Sequence, residues 1–340
     1  MSTDPERSGP SGLMALPWLA HLIGRRTIFL AGLAAFAVWP LVFNPYLAYA
    51  ANLALIYILL AVGLNFIIGF AGQLVFANGA LMGIGAYCTG LLMYDGGWPF
   101  WLALPAGAIL ATVIGLLVAL PALRLQGLYL ALGTVAFTQF ALWVFIHWEA
   151  VTYGNAGFVL PPVSFEAIGL GKDMGLYYLT LLLVVVFVAM AYRISRSRVG
   201  RAFIAVRESE VAAEALAIDL TVYKTVAYGV SALYAGLAGG LFTALLGVVV
   251  PESFNLFQIV LQFSMVIIGG LGSIAGAIIG AIALISLQEL LRGFQEVQEI
   301  AFGALLLLTL LFFPGGIAAA LKRWVPGWSE THHQDGGRRP

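Results

Sequence analysis

The residue types able to do chemistry are concentrated in one polar stretch, residues 193–225, which reads RISRSRVGRAFIAVRESEVAAEALAIDLTVYKT. Within it Ala205, Ala212, Ala213, Leu216 and Ala217 fall at helical spacing among charged residues. An amphipathic helix that lies on lipid carries bulky Leu, Phe and Trp on its apolar face. An alanine stripe instead allows close approach to another protein surface, so the segment reads as a docking helix. Its contact residues are Gly200, Arg201, Arg207, Glu208, Glu210, Ala212, Ala213, Glu214 and Ala217.

Groupings that would support catalysis are missing. His147 stands alone near the end of an apolar run, and His332-His333 lie in a polar tail, so neither a catalytic residue nor a metal site is expected. No G-x-x-x-x-G-K-[ST] phosphate loop occurs, since Gly171-Lys172 is followed by Asp173. The chain therefore cannot hydrolyse ATP by itself. Gly83-Ile84-Gly85 follows no strand and lacks an acidic partner, which excludes a dinucleotide fingerprint. The lone Cys88 excludes an internal disulfide, and a net charge of zero argues against nucleic acid as a partner.

A second set of candidates consists of uncharged polar residues inside apolar runs. Asn65, Gln73, Asn78, Tyr129, Thr134 and Thr138 are the candidates for a substrate path, with Asn52, Gln139, Gln262 and Ser264 as further polar positions. Such groups either bond between helices or face a solute, because an unpaired polar group is costly in hydrocarbon. Gln73 and Asn78 stand beside a glycine break, Gly69 to Gln73. A broken helix there presents free N–H groups able to hold a carboxylate. Gly79–Gly83, Gly236–Gly240 and Gly272–Gly276–Gly280 have the spacing of close helix-packing faces. IIGFAG at 67–72 and IIGGLG at 267–272 repeat each other, as two related halves would.

The elements that must position these residues are membrane helices. Hydrophobic residues make up 61% of the 340, charged residues only 9%, and the mean hydropathy is +0.98. A soluble domain carries roughly 25% charged residues. No charge occurs between Arg26 and Asp95, and further uncharged runs cover 125–148, 174–192, 225–251 and 253–288. Crossing a bilayer takes about 20 apolar residues. Divided at turn residues, these runs predict an all-α polytopic bundle of ten crossings, near 27–43, 48–70, 74–94, 99–120, 127–148, 176–192, 226–248, 256–270, 273–291 and 300–320. The third, eighth and ninth are short or glycine-interrupted, as broken or re-entrant segments are. The transmembrane domain is expected over 27–322, between polar tails at 1–26 and 323–340, with a cytoplasmic loop at 193–225 and an outer loop at 149–175.

Basic residues orient the bundle. With both termini inside, 14 of the 16 Lys and Arg fall on the inner side and only Lys172 and Arg292 on the outer. Apart from Glu289 near the end of the ninth, no Asp, Glu, Lys or Arg falls within a crossing, so coupling energy must enter from outside the bilayer, or the chain is a passive pore.

Glu210-Val211-Ala212-Ala213-Glu214-Ala215-Leu216-Ala217 resembles the cytoplasmic "EAA" loop of ABC-importer permeases. LNFIIGFAGQLVFANGALMGIGAY (64–87), QGLYLALGTVAFTQF (126–140), SRVGRAFIAVRESEVAAEA (197–215), PESFN (251–255) and VIIGGLGSIAGAIIGA (266–281) extend that resemblance to the permeases of branched-chain amino-acid (Liv-type) importers. The resemblance implies half of a translocation pathway in a bacterial inner membrane, for branched-chain or related amino acids. It also implies partners: a second, similar permease, two ATP-binding subunits that use ATP and Mg, and an extracytoplasmic solute-binding protein. No cofactor is expected on this chain. Two positions depart from the family pattern. Ala217 stands where Gly is usual, and GQLVFANGA replaces GQLSLGHAA, with Asn78 in place of His. Related permeases serve urea, short amides and aromatic acids, and a passive channel for small polar solutes is the alternative reading.

Overall fold

A computed structural model describes residues 36, 44–165, 169, 171–293, 303–304 and 316–317. The chain is built from helices joined by short connections. α1 (Pro45–Asn65) opens on a proline whose fixed backbone angle suits a first helical turn, and it continues through a π-helical turn, Phe66–Phe70. An irregular stretch leads to α2 (Asn78–Tyr94), then α3 (Phe100–Ala122) and α4 (Leu128–His147). A connection containing the two-residue strand β1 (Phe158–Val159) leads to α5 (Lys172–Arg196). Two short helices follow, α6 (Arg198–Glu208) and α7 (Glu210–Ala215), then the long α8 (Leu220–Leu246). The strand β2 (Val248–Val249), α9 (Leu256–Gly269) and α10 (Ile274–Leu290) complete the described chain.

Six helices among the described residues are long and apolar enough to cross a membrane: Pro45–Phe70, Phe100–Ala122, Leu128–His147, Lys172–Arg196, Leu220–Leu246 and Pro251–Gly269. Ile274–Leu290 is apolar but shorter, and α2 also has only 17 residues. The protein is thus a multi-pass helical membrane protein. The expected crossings at 27–43 and 300–320, like the two polar tails, lie almost wholly outside the described residues.

α1 is the centre of the bundle. It is almost entirely buried, packed by α8, α10, α5 and α9, while α8 in turn carries α2 and α3. Close approach is made at small residues: a Cβ on Gly236 would meet Ala111 Cβ at 2.6 Å and Ala108 Cα at 2.9 Å. A side chain on Gly240 would meet Thr89 and Leu104 of α2 and α3. In contrast, α4 buries one stripe, Leu130, Ala131, Thr134, Thr138, Ala141 and Phe145, and exposes Leu132, Phe140 and Trp143. The Gly272–Gly276–Gly280 series is not one packing face. Gly276 and Gly280 lie against α9, whereas Gly272 sits in the turn before α10 with φ +76°.

The end of the bundle formed by the start of α1 and the ends of α2, α4 and α8 is closed by the connecting segments. β1 pairs antiparallel with β2, Phe158 opposite Val249. Tyr153 donates a 2.6 Å hydrogen bond to Asp95, and that bond pushes the phenol up to about 12. Beneath lies a continuous aromatic layer. Tyr87 stacks on Phe145 at 4.5 Å, and Phe254 lies 6.2–6.4 Å from Tyr87, Phe145 and Phe242.

Candidate functional site

The candidate residues fall into two places, one at mid-depth and one at the end of the bundle opposite the aromatic layer. The first is built by the irregular segment 71–77. After the π turn the chain does not leave the bundle but climbs back into it. The backbone of Phe76 is held by α4: its N–H donates to Thr134 Oγ1 at 3.1 Å, and Thr138 Oγ1 donates to its carbonyl at 3.0 Å. Two threonines one turn apart thereby satisfy the backbone of a residue that lies outside any helix or sheet. α2 then starts at Asn78, with no side-chain cap from the preceding Ala77.

Asn78 is buried and joins three helices. Ser231 Oγ of α8 donates to its Oδ1 at 3.1 Å, and its Nδ2 makes a long 3.5 Å contact with Gln262 Oε1 of α9. Gln262 Nε2 lies 3.6 Å from Met82 Sδ. Ser231 is the twelfth residue of α8, which places the trio about 16 Å along that helix from its start, near the middle of the bundle. Of the residues expected on a substrate path, Asn78, Thr134 and Thr138 come together here, and Gln73 lies half-buried in the same segment. Tyr129 does not join them, being 75% exposed on the outer side of α4. Asn65 belongs elsewhere, to the second site. Ser231 escaped sequence reading because a single hydroxyl among Gly and Ala signals nothing by itself. Tyr87 escaped likewise, although its hydroxyl is buried with no hydrogen-bond partner among the described residues.

The second place is where the two repeated hexapeptides meet. Asn65, the last residue of α1, reaches across to the turn between α9 and α10: its Nδ2 donates to Ser273 O at 2.9 Å, and its Oδ1 accepts from Gly272 N at 3.0 Å. The final glycines of the two hexapeptides, Gly72 and Gly272, both adopt left-handed backbone, φ +70° and +76°. Arg207, in the last turn of α6, donates from Nη1 to the carbonyl of Gly69. That carbonyl lies at the end of α1, where unpaired C=O groups carry partial negative charge.

The docking segment is two helices rather than one. Ser209 adopts extended backbone between them and caps α7 by accepting from Ala212 N. The break turns Ala213 inward, where it is 1% exposed, so it packs against its own chain. The outward face of α7 consists instead of Val211, Ala212, Glu214, Ala215 and Leu216, with Val211 and Leu216 exposed by 79% and 75%. On α6, Gly200 is buried while Arg201 and Glu208 face outward. Glu210 makes a 2.7 Å ion pair with Lys224 of α8, whose side chain is 6% exposed. α7 ends with Ile218 N bonded to Ala213 O and Ala217 N to Glu214 O, which puts Ala217 in left-handed backbone at φ 59°.

Comparison with known proteins gives consistent matches. The family described as "Branched-chain amino acid transport system / permease component" matches residues 46–313. The chain is similar to the high-affinity branched-chain amino acid transport system permease protein LivM of Escherichia coli K12, 33% identical over 91% of this chain and 78% of LivM. It is 28% identical to the corresponding protein LivH of the same organism, over 77% of this chain and 90% of LivH. A weaker similarity, 27% over 54% of this chain and 57% of the relative, links it to the ribose import permease protein RbsC of Escherichia coli K12. No solved structure matches the chain significantly.

Proposed function

We propose a function from one settled premise: this chain belongs to the branched-chain amino acid transport permease family. In our reading it forms half of the translocation pathway of an ATP-driven importer for branched-chain or related amino acids. Relatives named LivM and LivH differ from one another, which supports a second, similar permease as partner. Two ATP-binding subunits would supply the energy and a solute-binding protein would deliver the solute outside. The bundle of ten crossings would sit in a bacterial inner membrane with both termini inside, as the basic residues favour.

The observation that carries this reading is the outward face of α7. Val211 on this short capped helix and Leu216 at its C-terminal end are large exposed apolar groups, beside the outward-facing Arg201 and Glu208 of α6. Bilayer helices of this kind carry longer apolar faces, whereas a small exposed knob of two residues suits a cleft in a partner protein. At mid-depth, the uncapped start of α2 beside Asn78, Ser231 and Gln262 offers N–H donors and amide groups to a zwitterion. The aromatic layer beyond would close the pathway on that side.

Leu216→Arg tests the reading. The side chain faces outward, so the permease should fold and enter the membrane as before. The ATP-binding subunits should no longer copurify, and ATP-dependent leucine uptake in reconstituted vesicles should fall about a hundredfold, as loss of a buried interface anchor does. Unchanged uptake would remove α7 as the docking element. Leucine flux by the chain with no ATP-binding subunit present would establish the passive channel instead.

A further inference from the structure

We propose that Arg207 is the positioning residue through which movement of α6 and α7 reaches both glycine turns of the bundle, an inference that rests on the importer reading above. Four contacts define the connection. The guanidinium of Arg207 bonds the carbonyl of Gly69 at the end of α1. Its stem lies over Gly72, where an added Cβ would meet Arg207 Cγ at 2.8 Å. Its Nη1 lies beside Gly272, 2.9 Å from where a Cβ would stand. Asn65 then ties Gly272 and Ser273 to α1 through both ends of its amide.

One side chain from the docking segment therefore touches both members of the repeated hexapeptide, at the same final glycine in each. A side chain at either glycine would strain the left-handed backbone and crowd the Arg207 side chain. Glycine turns also have low barriers to re-orientation, since no Cβ restricts them. When α7 is displaced, the break at Ser209 leaves α6 as the rigid arm, and Arg207 is its last turn. Moving that arm withdraws the donor from Gly69, the end of the central helix, and releases the α9–α10 turn bound to it. On the other side of Ser209, Glu210 and Lys224 hold α7 to α8, so the two halves of the docking segment address different helices.

The test compares ATP hydrolysis with uptake in the complete complex, reconstituted in vesicles. In Arg207→Gln, ATP hydrolysis should stay within about twofold of the parent while leucine uptake falls about tenfold, so that ATP consumed per leucine rises, the size of an ordinary coupling free energy. A residue needed only for folding would lower both together and leave the ratio unchanged, which would overturn the inference. If Arg207→Gln does not assemble, Arg207→Lys keeps the charge on one ammonium nitrogen in place of the guanidinium fork, and the same rise or constancy of the ratio decides. A parent complex that imports nothing on ATP would sink the importer reading and this inference with it. A parent that imports, beside variants with its own ratio, would sink the inference alone.

Discussion

The two ends of the bundle are closed by different means. Near β1 and β2 the closure is a layer of aromatic rings, Tyr87, Phe145, Phe158, Phe242 and Phe254, held by contact area and by stacked and edge-to-face geometry. At the Arg207 end it is a set of directed hydrogen bonds among Asn65, Gly69, Arg207, Gly272 and Ser273. Ring contacts are worth about 0.5–1.5 kcal/mol per pair and tolerate reshuffling. A hydrogen bond to a specific backbone atom across two left-handed glycines has one geometry. The aromatic end is thus the more adaptable closure, and the glycine end the more geometrically specific one.

The sharpest way to break this contrast is to make one substitution at each end. At Gly69 an added Cβ would collide with Asn65 Oδ1 and the backbone N of Gly272, so the clasp cannot form. Gly69→Ala should cost about 3 kcal/mol, the upper range for overpacking, and should lower the thermal unfolding midpoint of the purified protein in detergent. Phe254→Leu at the aromatic end keeps an apolar group of similar reach and should cost about 1 kcal/mol. Equal costs for the two substitutions would refute the distinction between a directed and an adaptable closure.

A smaller effect probes the attachment of α7. Lys224 is almost fully buried, and Glu210 is its ion-pair partner among the described residues. Glu210→Ala leaves that ammonium without its carboxylate, at a cost of about 1–3 kcal/mol. Glu210→Ala combined with Lys224→Met removes both charges and should recover most of the loss, because a buried pair is often replaceable by apolar groups. Thermal unfolding of the single and double variants measures this. No recovery in the double variant would mean that the charge pair, rather than burial of the stem, organises the start of α8.

Much of this architecture is legible in the sequence because the bilayer imposes it. Long uncharged runs mark α1, α3, α4, α5 and α8 to within a few residues, and Gly69 to Gln73 marks the break after α1. The outcome at each break was less legible. Glycines at 272, 276 and 280 share a spacing, yet Gly272 serves a turn and the other two serve packing. Spacing reports periodicity only where the backbone is helical. The alanine stripe failed at Ala213 for the same reason, since Ser209 resets the helical phase between α6 and α7. Arg207 read as a contact residue of the docking helix, whereas it bonds Gly69, 138 residues distant, and no local pattern encodes that pairing. Thr134 and Thr138 read equally as path residues or as interhelical bonds, and their hydroxyls hold the backbone of Phe76.

The smallest expected effect concerns the residue that departs from the family pattern in the docking segment. Ala217 occupies the position after α7 where the closing hydrogen bonds require left-handed backbone, φ 59°. For an L-residue with a Cβ this conformation costs about 1–2 kcal/mol, whereas glycine adopts it freely. The Gly that the resemblance leads one to expect here would therefore have a local physical basis, and this chain carries strain at the joint between α7 and α8. Ala217→Gly relieves the strain but gives the unfolded chain more freedom, so the net gain should be about 1 kcal/mol. Ala217 is exposed, so no packing is lost with the methyl group. Hydrogen exchange at the amides of Ala217 and Ile218, which close the helix end, should slow about fivefold if the opening is local. Exchange that quickens instead would show that the left-handed joint is held by something other than its own two hydrogen bonds, and that α7 ends for a reason beyond local backbone geometry.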